Sequence, residues 1–188
     1  MLSLLILFIL LIAFFSGARR GFAMQAVYTL GYVLSFFVAQ HFYKQLANHL
    51  ELYIPYPAVT STSKMVFFDQ AISFRLDEAF YAGVAFLLIL FVGALITRFI
   101  GIFVHSLTYV PLLRQVDWLA GGALSVVVAY VTIFLLLSLL VFVPVDFIQN
   151  QFSGNSLARF IVENTPLLSD KIHDLWVTNI INFIGLIK

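Results

Sequence analysis

Two adjacent arginines, Arg19 and Arg20, are the only charged residues between Met1 and Tyr43. They divide a long apolar stretch into two segments, 1–18 and 22–43. Each segment is long enough to cross a bilayer as a helix, although the first is near the short limit. Since the connection between them is so short, the two helices are predicted to form a hairpin. Basic residues in short loops stay on the cytoplasmic side, so the arginine pair also orients this hairpin.

The composition is that of an integral membrane protein. Of the 188 residues, 62% are hydrophobic and 10% are charged, with a mean hydropathy of +1.04, which lies far outside the range of soluble domains. The formal net charge of +1 gives no reason to expect a nucleic-acid partner. The absence of cysteine excludes disulfides and thiolate chemistry. The lipid bilayer is the partner that the composition itself implies.

Two further apolar segments, 79–101 and 118–143, predict a second hairpin, and Asp117 and Trp118 mark the entry to the last span as a cap and an interfacial anchor. A polar loop, 44–78, separates the hairpins and is expected outside the cytoplasm. The tail, 144–188, has the pattern of an amphipathic helix lying in the membrane interface, and a fifth crossing by residues 172–187 is the less favoured alternative. The predicted fold is therefore all-α: a polytopic helical membrane protein with a four-span domain, 1–143, and an amphipathic helical tail.

The first segment also admits a different interpretation, as a cleaved signal peptide. The sequence from Ser16 to Ala18 has the small residues of a cleavage site. However, a signal peptide carries its positive charges before the apolar run, whereas here the arginines follow it. A spanning helix is the favoured interpretation.

Three spans carry small residues at positions i, i+4 and i+8, which place them on one helical face and allow another helix to approach closely. Small residues are also common in spans generally, so the pattern alone does not identify a contact. The three predicted packing faces are Gly31, Ser35 and Ala39; Gly93, Thr97 and Gly101; and Gly121, Ser125 and Ala129.

Arg98 is the only basic residue within a predicted span. An intramembrane arginine is a functional candidate by default. The alternative is that its long side chain extends to the headgroups, because Arg98 lies near the predicted cytoplasmic end of its span.

Recognisable catalytic motifs are missing from the sequence. It contains no Gly-rich phosphate loop, no His-Glu-x-x-His pair and no nucleophile elbow. The four histidines are scattered, and no carboxylate lies within a predicted span. We therefore expect no enzymatic activity, no cofactor and no metal site.

Two motifs resemble those of the CvpA (colicin V production protein) family. The first is the basic turn after the first span, with Gly17, Arg19, Arg20 and Gly21, and the second is Val116–Leu124, where Asp117 leads into Gly121 and Gly122. The resemblance extends to about Pro166. It departs at Ser125–Val128, where the family usually has a further glycine or basic residue.

This resemblance implies a bacterial inner-membrane protein linked to colicin V production and toxin biosynthesis, with no established biochemical activity. In some longer relatives a similar region precedes a trypsin-like protease outside the membrane. The sequence favours a non-enzymatic scaffold that associates with itself or with another membrane protein. A small oligomeric channel or transporter is the alternative, because the two halves share a plan typical of internal duplication. Both termini are predicted outside, with Arg19, Arg20 and Arg114 in the cytoplasm.

Overall fold

The computed structural model describes residues 2–57, 65–67, 76–104 and 114–178, and the regular elements in these ranges are all helices. Four of them are long, and three short ones follow, the last of which continues into a π-helical turn. The long helices are α1 (Leu2–Arg20), α2 (Phe22–Leu50), α3 (Leu76–Val104) and α4 (Arg114–Val141). The short helices are α5 (Asp146–Ser153), α6 (Ser156–Asn164) and α7 (Leu168–His173), and the π-helical turn is Asp174–Thr178.

Each of the four long helices is long and apolar enough to cross a membrane. The connections that contain Pro55, Pro57, Pro144 and Pro166 lie outside the helices, as expected for a residue that lacks a backbone N–H and disrupts helix interiors. The predicted fold class, an all-α polytopic membrane protein, is confirmed.

The helix bounds differ from the predicted spans at several ends. α2 continues to Leu50, seven residues beyond the predicted span, and buries Tyr43 and Ala47 on one face. α4 begins at Arg114 and therefore includes Asp117 in its first turn, instead of beginning after it. It ends at Val141, because Pro144 disfavours a helical conformation at the preceding residue.

The chain forms two compact units. The first consists mainly of Ser3–Ala39 and Leu88–Ile133, and the second of Gln40–Leu87 and the chain from Phe134 onward. The first unit thus contains α1, the beginning of α2, the end of α3 and most of α4. The second contains the other ends of α2, α3 and α4 together with the short helices.

Trp176 in the π-helical turn lies in the core of the second unit. Its side chain is fully buried, and its ring lies 5.6 Å from that of Phe86 and 6.2 Å from that of Phe142 between centroids. The Tyr43 hydroxyl donates a hydrogen bond of 2.9 Å to the Leu175 carbonyl. The tail was predicted as an amphipathic helix on the membrane surface, whereas this part of it is buried among the long helices. Residues 179–188 of that predicted helix lie outside the described residues.

Gln149 fixes the end of α4 within the second unit. Its side chain is 3% exposed, and its Nε2 donates to the carbonyls of Val141 at 3.2 Å and Val143 at 2.9 Å. Its Oε1 accepts a hydrogen bond of 3.1 Å from the Val66 N–H. The carbonyl of Val141, the last residue of α4, has no intrahelical donor, so this buried amide supplies one and also binds part of the long loop.

Candidate functional site

The turn between α1 and α2 depends on the conformation of Gly21. Its φ is +81°, a value that favours glycine. The Gly21 N–H donates to the Gly17 carbonyl at 3.1 Å, and the Gly21 carbonyl accepts from the Gln25 N–H, also at 3.1 Å. A single residue therefore ends α1 in the left-handed manner typical of helix C-termini and begins α2.

Asp117 of α4 caps the start of α2. Its Oδ1 accepts a hydrogen bond of 2.8 Å from the Phe22 N–H, one of the helix N-terminal donors that lack an intrahelical partner. A carboxylate at this end also interacts favourably with the helix dipole. The sequence predicted that Asp117 caps its own helix, α4, whereas in the structure it caps α2. The two motifs that carry the family resemblance meet at this bond.

α1 and α4 approach closely beside this cap. A Cβ atom built on Gly121 would lie 2.7 Å from the Gly21 carbonyl carbon and 2.8 Å from the Gly17 oxygen. Gly17 in turn lies against the Gly121 carbonyl and the Ser125 side chain. These positions have no space for a side chain, so the motif glycines allow the two backbones to touch.

Aromatic side chains pack next to the same contact. A Cβ atom on Gly122 would lie 2.6 Å from the Phe14 ring, and that ring meets Trp118 edge to face at a centroid distance of 5.2 Å. Trp118, predicted as an interfacial anchor, is 41% exposed. Ala129, the last member of the predicted face on α4, is half-buried.

The predicted faces of α2 and α3 lie against each other in antiparallel order. A Cβ atom on Gly31 would collide with Thr97, and one on Gly93 would collide with Ser35. Gly101 lies against the Tyr28 ring, where a Cβ atom would be 2.6 Å away. These faces contact each other within one chain, and Ala39 at the end of the α2 face is fully buried.

The arginines of the turn are exposed, and one of them is held by two neighbours. The Arg20 Nη1 donates to the Gln25 Oε1 at 3.4 Å, and its guanidinium carbon lies 5.2 Å from the centre of the Tyr28 ring. Gln25 is 1% exposed. Gln25 and Tyr28 were missed in the sequence analysis, although an amide in an apolar span, five residues after a charge, indicates such a neighbour.

Arg98 has no described contact with Arg20, Gln25 or Tyr28. It is exposed on α3 among the exposed apolar side chains Leu95, Phe99 and Ile102. Within the described part of the chain it has neither a hydrogen bond nor an ion pair. Arg114 is the first residue of α4, and its side chain lies outside the described atoms.

Comparisons with known proteins identify the family of this chain. The family model described as colicin V production protein matches residues 2–166. The chain is also 31% identical over 176 residues to the uncharacterized transmembrane protein YshB of Bacillus subtilis (strain 168), with 94% of this chain and 97% of that protein covered. No solved structure matches. The chain therefore belongs to the colicin V production protein family.

Proposed function

We propose that this protein is a non-enzymatic scaffold of the bacterial inner membrane that binds another membrane protein or a second copy of itself. The family's name favours a link to toxin production or export. The observation that carries the proposal is a set of large apolar side chains exposed on the short helices that follow α4 and on the connection between α6 and α7. These are Phe147, 74% exposed, Phe160, 57% exposed, and Leu167, 86% exposed.

These exposed side chains stand on a well-packed framework. On the same short helices Phe152, Ala158 and Ile161 are at most 2% exposed, and the Asn155 side chain caps α6 by accepting from two N–H groups at 3.1 Å. A framework fixed in this way presents its outer apolar residues in a defined arrangement. Such residues on an ordered surface are typical of an interaction site.

The backbone at Leu167 supports the same interpretation. Its φ is +64°, an uncommon conformation for a bulky residue that costs of order 1–3 kcal/mol. The nearby Ser169 hydroxyl accepts from the Thr165 N–H at 3.0 Å and donates to the Val162 carbonyl at 2.8 Å, which holds this strained connection. The result is a leucine that projects outward, as a contact residue for a partner would.

Hydroxyl groups within the long helices also favour a packing role over a polar pathway through one chain. Ser35, Thr97 and Ser138 each donate to the carbonyl four residues earlier at 2.8 Å. A hydroxyl bonded in this way is satisfied by its own helix. These groups therefore do not need water or a solute as a hydrogen-bond partner.

Site-specific photo-crosslinking tests the proposal. The photoreactive residue p-benzoylphenylalanine would replace Phe147 in one variant and Phe160 in another. The matched control is the same replacement at the buried Phe152, used once that variant is shown to fold. We expect adducts with protein, visible as discrete larger bands, from the two exposed positions and not from the control. If both exposed positions gave only unmodified or lipid-modified protein, the partner-binding role would be wrong.

The alternative, a small oligomeric channel or transporter, is favoured by one observation. Arg98 is a charged, exposed side chain on an apolar helix, and such residues often mark ion or solute pathways. Purified protein in liposomes would be assayed for ion or solute flux. Flux that disappears in an Arg98→Ala variant would favour the alternative, whereas crosslinked partners without flux would favour the scaffold.

We further infer that both termini lie outside the cytoplasm and that the arginine turn lies inside. The support is the position of Arg19 and Arg20 in the shortest connection, where basic residues determine orientation most strongly. Fusions at the C-terminus to alkaline phosphatase and to green fluorescent protein test this. A fluorescent fusion together with an inactive phosphatase would show that the C-terminus lies in the cytoplasm and that the inferred orientation is wrong.

A further inference from the structure

We propose that Arg20, positioned by Gln25 and Tyr28, binds the phosphate of an anionic phospholipid at the α1–α2 turn. A turn between two spanning helices lies at the level of the lipid headgroups, whichever side of the membrane it faces. The flanking Phe15 and Phe22 are 53% and 41% exposed. Lipid chains therefore border the turn on both helices, and the phosphates of those lipids come within reach of the arginine.

The guanidinium of Arg20 is oriented and yet keeps free donors. One nitrogen, Nη1, bonds to the buried Gln25 amide, and the face of the group lies over the Tyr28 ring. Because arginine has five N–H donors in a planar fork, the remaining ones are available to two oxygens of a phosphate. An arginine held in this way loses less conformational entropy on binding than a freely moving one.

The Asp117 carboxylate at this turn does not form an ion pair with Arg20 in the described residues. Asp117 is bonded to the Phe22 N–H at the start of α2, and in the described residues the turn arginines form no ion pair. Together Arg19, Arg20 and Asp117 leave a charge of +1 at the turn. The arrangement therefore attracts an anion and offers it one positioned binding group.

Arg19 provides an internal comparison. It has the same charge and lies next to Arg20 in an exposed position, but no hydrogen bond or ring contact is described for it. General attraction between basic residues and anionic lipid would depend equally on both arginines. A binding site formed by an arginine that Gln25 and Tyr28 position requires Arg20 in particular.

The experiment uses the full chain purified in a neutral detergent, with its thermal unfolding followed while phosphatidylglycerol is added in mixed micelles. Phosphatidylcholine and water-soluble glycerol phosphate are added in parallel. We expect phosphatidylglycerol alone to raise the unfolding midpoint of the wild type. The apparent affinity should fall about tenfold or more in Arg20→Gln, because charge-assisted hydrogen bonds are lost, and change by less than about twofold in Arg19→Gln.

Three results would overturn the inference. Equal losses in Arg19→Gln and Arg20→Gln would show general electrostatic attraction, and an equal response to phosphatidylcholine would show that the charge is irrelevant. The same response to glycerol phosphate would identify a soluble anion as the ligand. If Arg20→Gln does not fold, Tyr28→Leu, which removes the ring beneath the guanidinium, is measured by native mass spectrometry. Undiminished retention of phosphatidylglycerol by that variant would also refute the positioned site.

Discussion

Replacing Gly121 by alanine tests the contact on which the first unit depends. The new Cβ atom would lie 2.7 Å from the Gly21 carbonyl carbon, whereas carbon atoms pack at about 3.5–4.0 Å. The obstructing atoms belong to backbone, so no side-chain rotation relieves the overlap. α4 would have to move away from the turn by roughly 1 Å.

This displacement has a second consequence at the cap. The Asp117 bond to the Phe22 N–H is 2.8 Å long, and moving α4 by that amount stretches it beyond hydrogen-bonding distance. Overpacking costs about 1–3 kcal/mol and the lost cap about 0.5–2 kcal/mol. Alanine returns about 1 kcal/mol through its better helix propensity. We expect a net loss of about 2 kcal/mol in the free energy of unfolding.

The matched control is Gly154→Ala at the end of α5. There the nearest atom to an added Cβ, the Asn150 oxygen, is 3.8 Å away, so we expect a change within about 0.5 kcal/mol. Both variants would be unfolded by denaturant titration in detergent micelles, with secondary structure followed by circular dichroism. If Gly121→Ala were as stable as the wild type, α1 and α4 would not touch in the way described. Gly121→Leu or Gly31→Leu should lower the free energy of unfolding more than Leu136→Ala does, because Leu136 is 48% exposed.

Three further predictions concern polar groups. Asp117→Ala should destabilise the protein by about 0.5–2 kcal/mol, and Asp117→Asn by less because it keeps the acceptor, as measured in the same denaturant titration. Gln149→Leu should lower the free energy of unfolding by about 1–3 kcal/mol, since it removes the donor to the Val141 carbonyl at the end of α4 and the acceptor of the Val66 N–H; an unchanged midpoint would contradict these bonds. Burial, followed by the Asp77 carboxylate, raises the pKa of Tyr56 above its ordinary value of 10.0. The raised pKa of Tyr56 therefore stabilises the folded state fully below pH 10.0, and this stabilisation is lost as the pH rises through the folded-state pKa. Tyr56→Phe should reduce the fall in the free energy of unfolding that is measured above pH 10.0.

The spans and the turn could be predicted from the sequence, because apolar length and charge placement are local properties. Pairing between helices was harder to predict. The small-residue faces on α2, α3 and α4 were visible as a spacing, but spacing does not reveal that Gly31 meets Thr97 or that Gly121 meets Gly17. These pairings depend on contacts between residues far apart in the chain.

The tail was the least predictable part. Trp176 belongs to a mixed polar and apolar segment, whose periodicity indicates a surface helix. Its burial follows from partners that are distant in sequence, Phe86 and Phe142, and from the space left at Gly83, where an added Cβ would lie 3.2 Å from the Trp176 ring. No local pattern around position 176 contains that information. The same holds for Gln149, whose amide bonds to α4 and to Val66.

The internal pairing of the glycine faces determines how a partner should be sought. Bulky substitutions at Gly31 or Gly121 remove contacts within the chain, so any loss of a partner in those variants would follow from unfolding. Exposed positions avoid this problem, because Phe147 is 74% exposed and its replacement leaves the core contacts in place. If Phe147→Ser abolished a crosslinked complex and left the denaturant midpoint unchanged, the loss would report on binding itself. If the midpoint fell as well, Phe147 would have a role in folding that its exposure does not explain. The proposal that the apolar surface after α4 contacts a partner would then be wrong.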